Sequence, residues 1–154
     1  MKNILLLIHD DAGQEARLQT ALDVTRALEG HLSCLDVAMV PMVAADINGG
    51  MGQVILLEDE RKREQENRAT LEARLNREDV SWDWTDVIGG MAEAILDASS
   101  LADLIVLNRQ LDESSFLDMR DITSRVIMKS RTPVLAVPET QRSVSTQRAL
   151  IAWD

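Results

Sequence analysis

The sequence predicts an α/β protein: a doubly wound, five-stranded parallel sheet with helices on both faces. Two apolar runs carry much of that prediction, NILLLI at residues 3–8 and LIVL at residues 104–107. Strands buried on both faces read this way, whereas a half-exposed strand alternates. The third observation is rhythm. Short apolar or alternating runs are separated by stretches of helical periodicity, in the order β-α-β-α-β-α-β-α-β, and that alternation implies βαβ units. Right-handed crossovers then leave few topologies.

Taken in order, the first strand ends in HDDAG, a loop on the side where open sheets bind ligands. From Gln14 to Glu29, the residues Leu18, Ala21, Leu22, Thr25 and Leu28 recur three and four apart, and Gly30 supplies a helix stop. His31 to Val37 is the second strand. It contains Cys34, the only cysteine, so no intramolecular disulfide and no thiolate metal cluster can form, and its apolar setting predicts a buried thiol. Residues 38–52 hold a proline and three glycines and read as a loop.

Residues 53–77 begin apolar and turn strongly polar without a helix breaker. Glu58 and Lys62, and Glu64 and Arg68, are favourably oriented pairs four apart, each worth roughly 0.2–0.5 kcal/mol to a helix. The charged run is read as a solvated helix face. Val80, Trp82 and Trp84 then alternate with Ser81, Asp83 and Thr85, the signature of a strand with one wet face. That alternation turns both indoles toward one side and makes them core residues rather than a base-stacking platform. Gly89 and Gly90 end the strand, and MAEAILDASSLA is a short helix.

Residues 103–138 form a β-loop-α-β unit on which function should turn. The loop from Asn108 to Asp121 lies at the carboxyl end of a central strand, the ligand side of such sheets. The following helix should turn Met119, Ile122, Val126 and Ile127 inward, and Val134 to Val137, closed by Pro138, is the last strand. Beyond it, residues 139–148 read as a linker. The run Ala149 to Trp153 followed by Asp154 repeats the shape of Ile4 to His9 followed by Asp10, which suggests the opening strand of a second copy at residues 149–154.

The 154 residues are expected to form one principal domain. A net charge of −10 argues against nucleic-acid binding, which needs clustered Lys and Arg, and should repel free nucleotides at long range. No run is apolar enough to span a membrane, and acids follow the first strand where a signal peptide would be cleaved, so a cytoplasmic protein is expected. There is no GxSxG elbow, no Cys with a His partner and no metal-spaced His or Cys set, so no catalytic or metal residue is assigned. A receiver-like signalling domain is one alternative. Asp10 and Asp11 would hold magnesium beside Asp86 as phosphoacceptor, but Arg131 stands near where a receiver needs lysine, and residues 38–77 make the chain long for that class.

Several stretches, in order, resemble the universal stress protein family: Asp10 after the first strand, Gly30 before the second, GGMAEAI at 89–95, DLIV at 103–106 and PVLAV at 133–137. The resemblance covers nearly the whole chain, from about residue 2 to 138, which is expected to be the domain at residues 1–138, and RALIAWD resembles the start of the second half of tandem members. It implies an adenine nucleotide alpha-hydrolase-like fold with strand order 3-2-1-4-5. Nucleotide-binding members carry Gly, two residues, Gly, nine residues, Gly and then Ser or Thr after the fourth strand. Glycines there let phosphates approach the backbone. In this sequence those glycine positions fall on Asn108, Leu111 and Asp121, or on Arg120 when counted back from Pro133.

Asp112, Glu113, Asp118 and Asp121 also bring negative charge to the place of a triphosphate, and like charges about 4 Å apart repel by roughly 1 kcal/mol even in water. Arg109, Arg120 and Arg125 would offset part of this, and Thr123 or Ser124 would supply a hydroxyl. The family's first-strand acid falls on His9 or Asp10, and an adenine-only ligand would lie between that loop and Val37. No cofactor is expected; ATP with magnesium is the alternative. The resemblance further implies a homodimer, or a pseudo-dimer with a second repeat, paired along the edge Val134, Leu135, Ala136 and Val137, and a role in stress response through an unidentified protein partner.

Overall fold

The computed structural model describes residues 2–38, 51–109, 118–145 and 152, with side chains in the second helix from residue 62 onward. The elements are β1 (Asn3–Ile8), α1 (Gln14–Ala27), β2 (His31–Ala38), α2 (Met51–Leu75), β3 (Ser81–Ile88), α3 (Met91–Ser99), β4 (Leu104–Arg109), α4 (Met119–Lys129) and β5 (Val134–Pro138). They form one parallel sheet in the order β3-β2-β1-β4-β5. The order implied by the resemblance is the observed one. None of the described helices is long and apolar enough to cross a membrane.

β1 lies at the centre, and its uninterrupted apolar run has a direct cause. Ile4, Leu6 and Ile8 pack with Leu18 and Leu22 of α1 and Leu71 and Leu75 of α2. Leu5 and Leu7 point the other way, into a second layer with Ile95 of α3 and Ile122 and Val126 of α4. Both sides of the strand are thus covered, which leaves no position for a polar residue. β3, at one edge, keeps the alternation seen in sequence, and Trp82 and Trp84 pack against the first layer. Cys34 is buried, and burial pushes its thiol up to about 12, so it carries no thiolate at neutral pH.

Two side chains expected inside are outside. Ile127 is 52% exposed because Met119, Ile122, Thr123 and Val126 already fill the inward stripe, and the next residue is rotated about 100° away from it. Leu28 is 45% exposed because α1 closes one residue earlier and Leu28 is its cap. The third strand also continues past Thr85, since β2 pairs it through Ala38 and Ile88. Of the loop expected at residues 38–52, Ala38 ends β2 and Met51 and Gly52 open α2, while residues 39–50 and most of the terminal run, residues 146–151 and 153–154, lie outside the described residues. After β5, the Gln141 N–H returns to the Pro138 carbonyl at 3.0 Å, and the Val144 N–H donates to Asp23 of α1 at 3.0 Å.

The β1-to-α1 turn is fixed by a buried guanidinium. Arg17 is fully buried. Its Nε donates to the Leu7 carbonyl at 3.1 Å, its Nη2 to the His9 carbonyl at 2.9 Å, and its Nη1 to both Asp11 oxygens at 3.0 and 2.9 Å. Burial pulls the guanidinium below its ordinary value and Asp11 opposes that pull.

At the other end of α1, Glu29 rather than Gly30 takes the left-handed conformation, with φ 51°. Gly30 is needed for a different reason: a Cβ there would lie 2.5 Å from the Lys2 carbonyl oxygen. Its N–H closes the helix on the Thr25 carbonyl at 2.9 Å.

Two outcomes are expected in urea denaturation. Asp11→Ala strands a buried cation and should cost about 3–5 kcal/mol, with part of the loss recovered when Arg17→Met is added. Gly30→Ala should cost about 1–3 kcal/mol through the clash with the Lys2 carbonyl, whereas Glu29→Gly should gain about 1 kcal/mol by relieving the left-handed backbone.

Candidate functional site

The carboxyl ends of β1 and β4 meet where the α1 and α4 connections diverge, and this crevice holds most of the residues singled out in sequence. His9 and Asp10 follow β1, half-buried and exposed respectively, while Asn108 and Arg109 close β4. Arg120 and Asp121 occupy the first turn of α4. Val37 is fully buried among Leu35, Met91 and Ala92, so its side chain belongs to the core. Leu111, Asp112 and Glu113 lie outside the described residues.

The floor of the crevice is a polar network that the sequence did not announce. Asp11 Oδ1 accepts from the Gly13 N–H at 2.7 Å and from Asn108 Nδ2 at 3.2 Å, while Arg17 holds the same carboxylate from below. Asn108 is only 1% exposed and sits directly over Gly13; a Cβ on Gly13 would lie 2.0 Å from its Nδ2. Gly13 therefore serves close packing against the Asn108 amide. Asn108 is anchored further by its carbonyl, which accepts the Thr123 hydroxyl at 3.0 Å. Its Oδ1 is buried and has no hydrogen-bond partner among the described residues. The first-strand carboxylate that does structural service is Asp11, neither of the two positions His9 and Asp10 marked by the resemblance.

The amides at the start of α4 are occupied as well. Asp118 caps the helix, its Oδ1 accepting from the Arg120 N–H at 3.0 Å and the Asp121 N–H at 3.1 Å. Anions bind helix starts through these same donors, so an internal carboxylate already stands in an anion's place. The cations expected to offset charge are only partly available. Arg125 pairs with Glu93, with Asp121 at 4.0 Å on its other side. Thr123, a candidate hydroxyl for a phosphate, is turned inward to Asn108.

The receiver-like alternative is overturned by topology. A receiver needs its third strand beside its first, but here β2 lies between β1 and β3, so Asp86 is two strands, on the order of 10 Å, from the β1 acids. Asp86 is instead engaged by Arg68 Nη1 at 2.5 Å and by Trp84 Nε1 at 2.8 Å. Asp11 is held by Arg17.

Arg68, expected to pair with Glu64, bonds Glu72 through its Nε at 2.7 Å. Glu58 and Lys62 cannot be assessed as a pair, because the Glu58 side chain lies outside those described. Among the described residues, no group of three or more His, Cys, Asp and Glu is arranged to hold a metal ion.

Comparison with known proteins agrees with this architecture. A family model described as the universal stress protein family matches residues 1–138. No curated protein matches the chain. Among solved structures, universal stress protein UspA from Lactobacillus plantarum is 17% identical with a TM-score of 0.72, over 88% of this chain and 97% of that one. A protein from the universal stress protein family of Burkholderia pseudomallei is 20% identical with a TM-score of 0.68, over 89% and 96%. The universal stress protein from Archaeoglobus fulgidus in complex with dAMP is 14% identical with a TM-score of 0.51, over 89% and 98%. At these identities the shared property is the fold. With its β3-β2-β1-β4-β5 sheet and a match spanning residues 1–138, the chain belongs to the universal stress protein family.

Proposed function

We propose that this protein is a universal stress protein of the kind that does not take ATP through a phosphate loop, and that it acts in a stress response by associating with protein, first of all with a second copy of itself. One observation carries the first half of this reading. Asn108 stands where nucleotide-binding members have the first glycine of their loop, and its amide fills the space over Gly13. The Asp118 cap on the α4 amides and the closed Asp11–Arg17 pair support it from either side.

The second half rests on β5. Among the described residues the strand is hydrogen-bonded to β4 alone, and Val134, Leu135 and Ala136 are half-buried while Val137 is covered. A short apolar edge with unpaired backbone groups is a template for another strand, and a two-fold axis satisfies both copies at once. On this reading the protein works by association and not by catalysis.

A second reading has an observation of its own. The buried Asn108 Oδ1 lacks a donor among the described residues, and an exocyclic amine such as that of adenine would supply one. A related structure holds dAMP.

Titration calorimetry with ATP and magnesium, and with AMP in parallel, separates the two. The proposed reading expects no saturable heat with either nucleotide. Binding of AMP with little gain from the extra phosphates would favour the adenine-only reading, and micromolar ATP binding would overturn the closed phosphate loop. Leu135→Lys should shift the protein toward monomer in sedimentation velocity, because each copy would place a cation in the shared apolar edge. An unchanged dimer with an unchanged circular-dichroism spectrum would remove β5 as the interface.

A further inference from the structure

A hollow of about 290 Å³ lies beside β5, where the chain leaves the strand and crosses back to α1. Leu135, Val137 and Pro138 of β5 and Val144 of the returning segment give it an apolar wall, and Thr20 closes it from α1. None of its described lining residues is charged. Leu135 and Val137 pack in the layer of Leu18 and Leu22, so this wall is a face of the strand, whereas pairing with a second copy would use its edge.

Thr20 is the residue that needs explanation. It is 1% exposed, and its hydroxyl has no hydrogen-bond partner among the described residues. A threonine inside a helix can satisfy its hydroxyl on the carbonyl four residues back. Thr25 does so, donating to the Ala21 carbonyl at 2.6 Å, but Thr20 makes no such bond to Ala16. Nearby polar groups are engaged elsewhere, with Gln141 Nε2 donating to the Ser143 carbonyl and the Val144 N–H to Asp23. An ordered water needs about two to four polar partners, which a hydroxyl set among apolar side chains does not supply.

We propose that this hollow binds a small neutral molecule with an apolar body and one acceptor oxygen, which takes a hydrogen bond from the Thr20 hydroxyl. The uncharged lining selects against ions, since a charged group would lose its hydration there with no counter-charge to replace it. That sets the site apart from any nucleotide site in the β1–β4 crevice. Size narrows the class further. Ligand pockets usually span about 300–1,000 Å³, so this one suits a single ring with a short substituent rather than a larger body. The apolar part gains from leaving water, and the oxygen supplies the partner that Thr20 lacks.

The test compares two probes of nearly equal shape, acetophenone and α-methylstyrene, in which a methylene group replaces the carbonyl oxygen. Each is titrated into the full chain and followed through the amide resonances of Thr20, Ala136 and Val144. Acetophenone should bind saturably with a Kd on the order of 1 mM, and about threefold to tenfold more tightly than α-methylstyrene, the worth of one neutral hydrogen bond. Thr20→Val keeps the shape and removes the hydroxyl, so acetophenone should fall to the level of α-methylstyrene while the thermal midpoint of the free protein stays level or rises. Val144→Ser, at a half-buried position of the returning segment, should weaken both probes several-fold. Absence of saturable binding, equal affinity for the two probes, or an affinity indifferent to Thr20→Val would each overturn the assignment. A lowered midpoint in Thr20→Val would do so as well, by showing that the hydroxyl is satisfied within the fold.

Discussion

The structure hangs on one buried cation. Arg17 points from α1 back under the end of β1, and three acceptors converge on it: two carbonyls of the strand end and one carboxylate of the loop. A guanidinium is suited to this because its donors lie in a fixed planar fork. The result sets the path of residues 9–13, and that path sets the position of Asp11, the close approach of Gly13 to Asn108, and through Asn108 the first turn of α4 by way of Thr123. A single ion pair thus joins both strands that border the crevice. Its stability contribution is contingent on staying complete, since either half alone would be a stranded charge.

An acidic chain with few cations must place them well. The described arginines cross between elements more often than they serve their own helix. Arg26 joins α1 to Glu78 and Asp79 ahead of β3, Arg74 joins α2 to Glu15 of α1, and Arg68 joins α2 to Asp86 at the far end of β3. The reciprocal amide pair of Gln14 and Asn67, at 2.7 and 2.9 Å, adds a neutral link between α1 and α2. Individually these exposed pairs are worth little. Together they add to the apolar contacts of Leu71 and Leu75 in seating the described, strongly polar part of α2.

Most of the fold was legible in the sequence because burial on a parallel sheet leaves a direct trace in residue pattern. The double-sided burial of β1 and β4 appears as unbroken apolar runs, and the one-sided burial of β3 as alternation of its tryptophans. The crevice was less legible, since its interactions join residues far apart in the chain and obey hydrogen-bond geometry rather than period. Arg17 sits among buried α1 positions and reads as an ordinary surface residue until its three acceptors are seen. Asp11 was noted only as a metal-holding candidate. A faint signal existed in Asp11 and Gly13 two apart, the spacing of a side-chain-to-backbone turn. The misplacement of Ile127 and Leu28 has a simpler origin: an apolar residue flanking a full inward stripe gains nothing from its hydrophobicity.

The Asn108–Gly13 contact and the Asp118 cap also bear on how freely this crevice can change by mutation. A glycine at 108 would clear the space above Gly13, yet it would take from Asp11 its amide donor and leave Asp118 still holding the α4 amides. Replacing Asp118 alone would expose those amides beneath a crevice that Asn108 still closes. On the proposed reading, a change at either position alone leaves the other obstacle in place. Packing of this kind couples the two strand ends to the first turn of α4, so that positions 108 and 118 act together rather than one at a time.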